Sequence, residues 1–112
     1  MAYDKDLAER VREFAQSEPG WSEKRMFGGL ATLVDGKLAL AVSTHGGLLV
    51  NVAGDQAEAA LEEPRTEVAV MGGREMRGWV RVDSSVCADD AALERWIRRG
   101  LTAARARKAS RR

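Results

Sequence analysis

The chain holds one cysteine and one histidine in 112 residues. Cys87 alone excludes an internal disulfide and suits a reducing compartment. Cys87 and His45 together fall short of the roughly four ligands that a structural zinc site takes. No apolar run approaches the ~18 residues of a membrane-spanning helix. The opening residues Met1-Ala2-Tyr3-Asp4-Lys5-Asp6 are charged and lack an apolar signal core, so the expected location is the cytoplasm. Neither G-x-x-x-x-G-K-[ST] nor G-x-G-x-x-G occurs, which removes the usual phosphate loops. What is present is ordinary: 45% hydrophobic and 31% charged residues fit a globular protein. At this length there is room for one core.

Net charge near zero conceals an asymmetry. All 17 acidic residues lie at or before Glu94. Residues 1–97 hold 11 Lys and Arg, a net charge of −6, whereas residues 98–112 hold seven cations and no acid. The plain reading is a helix end whose cations suit its dipole, followed by a solvated tail over residues 105–112. The sharper reading is a nucleic-acid contact through Arg105, Arg107, Lys108, Arg111 and Arg112.

Periodicity outlines the fold. Asp4 is placed to cap a helix carrying Leu7, Val11 and Phe14 at i, i+4, i+7, and Pro19-Gly20 ends it. Strand character begins near Glu23 and continues to Val34. Asp35-Gly36 is the strongest hairpin signal in the chain, because both residues accept positive φ. Leu38, Leu40 and Val42 return on one face. Thr44-His45-Gly46-Gly47 makes another turn before Leu48–Val52. A short helix containing Ala57, Ala60 and Leu61 is stopped by Pro64. Val68–Met71 and Arg77–Val82 read as two further strands around Gly72-Gly73. In the last helix Leu93, Trp96, Ile97, Leu101 and Ala104 form an apolar stripe. The expected order is α-β(3)-α-β(2)-α, an antiparallel sheet with helices packed on one face in an α+β domain over residues 1–104. An open face or edge of that sheet would favour a homodimer.

Three stretches carry a resemblance: Glu23-Lys24-Arg25-Met26-Phe27-Gly28-Gly29-Leu30-Ala31, Val34-Asp35-Gly36-Lys37-Leu38, and Met71-Gly72-Gly73-Arg74-Glu75-Met76-Arg77-Gly78-Trp79-Val80. With the Trp96 helix, they make residues 3–104 similar to the N-terminal domain of the TfoX/Sxy family. The chain departs from the family pattern at Glu75, where proline is usual, and near Val68, where an aromatic is frequent. The resemblance implies a secretion-chaperone-like α+β fold and a non-enzymatic regulatory or protein-interaction role. The best-known members regulate natural competence with the cyclic-AMP receptor protein, so a partner in the transcription machinery is implied. Those members carry a second, helical domain; the resemblance here implies a stand-alone N-terminal domain.

The residues themselves offer few candidates for chemistry. A Cys87–His45 nucleophilic pair would need both to meet beside an orienting group, and no motif supports that. No catalytic residue, cofactor or metal is expected. The glycine pairs Gly28-Gly29 and Gly72-Gly73 lead into strands, so they read as turns or bulges with positive φ, while Gly78 falls within a strand. Arg25, Arg74 and Arg77 lie beside these turns and are candidates for a small-anion or partner contact. Surface ion pairs explain them equally well. Trp79 and Trp96 read as core. Trp21, just past Pro19-Gly20, either packs over a sheet edge or is an exposed partner contact. Glu62-Glu63 and Asp89-Asp90 are sequence neighbours that point apart on a helix.

Overall fold

The computed structural model describes residues 4–26, 29–43, 46–52, 57–71 and 73–110. Helix α1 spans Lys5–Ala15, and the Asp4 carboxylate accepts from the Leu7 N–H at 3.1 Å, the expected cap. Strands β1 (Trp21–Met26), β2 (Gly29–Val34), β3 (Lys37–Val42) and β4 (Leu48–Asn51) follow. Helix α2 (Ala57–Leu61) leads to β5 (Thr66–Met71) and β6 (Arg74–Val82). A one-turn helix α3 (Ser84–Cys87) and the long α4 (Asp90–Ser110) close the described chain. Among the described residues no helix is long and apolar enough to cross a membrane.

All strand pairs are antiparallel, in the order β1-β2-β3-β4-β6-β5. The fold is α+β, with helices gathered on one face as expected. The strand count differs. The single strand expected over residues 23–34 is two, β1 and β2, which pair along their whole length from Trp21 with Val34 to Met26 with Gly29. They are joined by residues 27–28, so Gly28 lies outside the described residues, as do Gly72 and His45. Gly29 itself does not have positive φ. Glycine is required there by proximity, because a Cβ would sit 2.0 Å from the Val42 carbonyl oxygen of β3. Asp35 and Gly36 have φ of 53° and 79°, the tight hairpin foreseen. Gly73 has positive φ, also as foreseen, and so does Gly78, which was expected to be an ordinary strand residue.

The core lies between the sheet and the helices. Leu7 and Val11 of α1 meet Leu93, Trp96, Ile97, Leu101 and Ala104 of α4 over Leu30, Val34, Leu40, Val42, Val50, Val80 and Val82 of the sheet. Ala60 of α2 and Cys87 of α3 complete that layer. Trp96 is 1% exposed and is the largest of the fully buried side chains. Phe14 packs at the margin and is only partly buried. One expectation fails in β3. Thr32 pairs with Leu40 and Leu33 with Leu38, which leaves Ala39 as an extra residue, a β-bulge. Leu38 therefore leaves the face of Leu40 and Val42 and joins the opposite side of the sheet. Trp79 also lies on that opposite side, in a smaller cluster, and not in the main core.

Candidate functional site

The sheet face turned away from the helices is built from strand residues alone. Ala31, Ala41, Leu49 and Ala69 are buried at its centre, and Leu33, Leu38, Met76 and Trp79 pack around them, partly exposed. Antiparallel partners point to the same side, so Lys24 joins Ala31 on this face, and Glu67 and Arg81 join Leu49. Asn51 is buried here beside Trp79, and its side-chain amide donates to the Leu38 carbonyl at 3.1 Å. That bond satisfies a polar side chain that would otherwise be costly to bury. The face is thus apolar, centred on small residues, and bordered by Lys24 and Arg81.

The arginines divide by element. Those described on helices are engaged by carboxylates: Arg10 with Asp90 at 2.6 Å, Arg95 with Glu63 at 2.9 Å and Arg98 with Glu94 at 2.6 Å. Arg12 holds both oxygens of Glu23 on β1 at 3.0 Å, so the hydrogen bonds and charge of Glu23 raise its pKa further. Arg99 lies 4.6 Å over the Trp96 ring and 3.8 Å from Glu63. Arg105 reaches Glu18 at 2.5 Å and the Pro19 carbonyl at 3.3 Å. Arg105, one of the five cations expected to contact nucleic acid, is therefore held by the body of the domain. Helix α4 continues through Arg107 and Lys108 to Ser110, while Arg111 and Arg112 lie outside the described residues.

The strand arginines Arg25, Arg74 and Arg81, and Arg65 in the turn before β5, make no ion pair among the described residues. Arg25 is exposed on β1 opposite Leu30, and Arg74 is exposed on β6 opposite Met71. Four strand spacings separate their strands, roughly 19 Å. The joint anion site expected of Arg25 and Arg74 is not assembled. Arg77 falls in residues 77–79, which interrupt the β5–β6 ladder between Met76 and Val80. Instead, Arg65 and Arg81, which sequence reasoning passed over, line one cavity of about 360 Å³. Arg81 had a signal: it occupies the polar position in the alternation Trp79-Val80-Arg81-Val82. Arg65 had none, because its place depends on which strands pair.

Trp21 packs against the main core, and its indole Nε1 is buried with no hydrogen-bond partner. Trp21 therefore packs on the edge strand against the main core while staying partly exposed. Burial pushes the Cys87 thiol up to about 11, and it lies 3.7 Å from the Asp83 carbonyl oxygen, to which it donates weakly. A thiol held neutral in this way is a poor nucleophile at neutral pH. Asp83 caps α3, and bonds from the Ser85 hydroxyl and N–H hold its carboxyl below the usual carboxylate value.

The family model of the TfoX N-terminal domain matches residues 13–104. No curated protein and no solved structure matches the chain. The match spans both glycine motifs, all six strands and α4 as far as Ala104, including the strand pairs that create the open sheet face. On that coverage the chain belongs to the TfoX N-terminal domain family.

Proposed function

We propose that this TfoX-type domain is a non-enzymatic regulatory module that recognises a protein partner through the open face of its sheet. The observation behind this reading is the group of partly exposed apolar side chains Leu33, Leu38, Met76 and Trp79, with no described helix residue in its cluster. Large partly exposed apolar side chains around a well-packed centre are the usual anchors of protein recognition. The family resemblance favours a component of the transcription machinery as the partner. The ion pairs of Arg105 weigh against the basic end of α4 as the main contact.

Affinity capture from the native host, with and without nuclease, tests this reading. The wild-type domain is expected to retain a defined protein after nuclease treatment. Trp79→Glu, with its fold checked by circular dichroism, is expected to lose it. Retention by both proteins alike, or capture that vanishes with nuclease, rejects the open face as the recognition surface. A change from dimer to monomer in Trp79→Glu, seen by light scattering, would identify the bound protein as a second copy of this chain.

A further inference from the structure

The cavity beside Arg65 and Arg81 lies where β4 and β5 begin and β6 ends. Gly46, Glu67, Asp83 and Ser84 share its lining. Its volume of about 360 Å³ falls within the range of small-ligand sites. Both arginines are fixed by the β5–β6 ladder. Arg81 pairs with Glu67, and the Arg65 carbonyl accepts the Asp83 N–H at 3.0 Å, one rung beyond the pair Thr66–Val82. Diagonal neighbours in such a ladder stand roughly 7–8 Å apart, so two long side chains can converge on one group. Arg65 holds φ of 60°, a region that glycine or asparagine enters more easily. An arginine nevertheless occupies that position.

Neither arginine at this cavity makes an ion pair among the described residues, although the Arg65 charge helps to hold the Asp83 carboxyl low. Arg65 gives one N–H to the neutral hydroxyl of Ser85 at 3.2 Å. Arg81 has no hydrogen-bond or ion-pair partner among the described residues. Of the two acids on the wall, Asp83 is already engaged by the Ser85 N–H at 2.9 Å and by its hydroxyl at 2.5 Å. Glu67 faces Arg81 across the strands but lies beyond ion-pair distance. A planar guanidinium with free N–H groups matches the paired oxygens of a carboxylate or phosphate.

We infer that this cavity binds a small oxyanion, a carboxylate or phosphate group held jointly by Arg81 and Arg65. The inference is independent of the partner reading above, since it needs no protein on the open face. Amide NMR of the full chain, titrated with inorganic phosphate and separately with acetate against a chloride control at constant ionic strength, tests it. Saturable shifts are expected at Gly46, Arg65, Arg81 and Ser84, and the anion that saturates at lower concentration identifies the chemistry. Arg81→Gln is expected to weaken binding roughly tenfold, the loss of one charge-assisted contact. Glu67→Gln is expected to tighten it about two- to fivefold by removing a like charge. Arg65→Gln replaces Arg81→Gln should the latter fail to give a folded spectrum. Shifts no larger than those in chloride, or equal response at Arg25 and Arg74, overturn the proposal. So does unchanged affinity in the arginine variant.

Discussion

The two faces of the sheet solve the same burial problem in different ways. Under the helices, large branched side chains fill the space, and Trp96, Leu40, Leu48, Leu93 and Ile97 are all less than 2% exposed. On the other face the centre is alanine, and the bulk of Leu33, Leu38, Met76 and Trp79 stands around it, partly in water. A tryptophan on each side makes the contrast direct. Trp96 is held between helix and sheet, whereas Trp79 leans on a layer of strands with no described helix residue in its cluster. The charges follow the same division. Arg10, Arg12, Arg95, Arg98 and Arg105 on the helices are tied down by carboxylates, whereas Arg25, Arg74 and Arg81 on the strands make no ion pair among the described residues. One face therefore holds the domain together, and the other keeps side chains available for contact.

Removing each tryptophan in turn is the strongest way to break this contrast. Trp96→Ala is expected to lower unfolding free energy by about 3–5 kcal/mol, and Trp79→Ala by roughly half as much, in urea titrations. Equal losses would mean that the two faces contribute alike. A smaller effect probes how closely α4 sits on the sheet. A Cβ on Gly100 would lie 2.7 Å from the Ala39 carbonyl oxygen. Gly100→Ala is expected to cost about 1–3 kcal/mol through overpacking, despite alanine's better helix propensity. A stabilised Gly100→Ala would show that the helix has room to shift.

The smallest effect concerns pH and Cys87. The thiol is raised from 9.0 to about 11 by burial, so the folded protein keeps its proton where the unfolded chain releases it. Stability from this group is complete below pH 9 and falls progressively as pH rises towards 11. The urea midpoint of the wild type is expected to drop more steeply over that window than that of Cys87→Ala. Parallel curves would mean that the thiol is not held neutral.

Elements whose instructions are local were readable from the sequence. Asp35-Gly36 carries its own turn preference, and the stripe from Leu93 to Ala104 needs only the helical period to reveal itself. The division between β1 and β2 was not readable. Met26 and Leu30 are equally strand-like, and the requirement for glycine at residue 29 comes from a carbonyl of β3 that sequence order does not place nearby. Nor was the side to which Leu38 turns, because an alternating pattern conceals one surplus residue when that residue is a small alanine. The arginine cavity depends on β6 inserting between β4 and β5. Composition and spacing do not specify that order, and so pointed to Arg25 and Arg74 instead.

The bulge in β3 has one more consequence. Every rung of the β2–β3 ladder is complete without Ala39, since Leu38 and Leu40 already meet Leu33 and Thr32. The surplus alanine serves the helix above: its carbonyl lies against Gly100, and its methyl group is enclosed in the main core. Strand length in this domain is thus tuned one residue at a time to the neighbour across the layer, and a hairpin trimmed to perfect regularity would leave α4 without its seat.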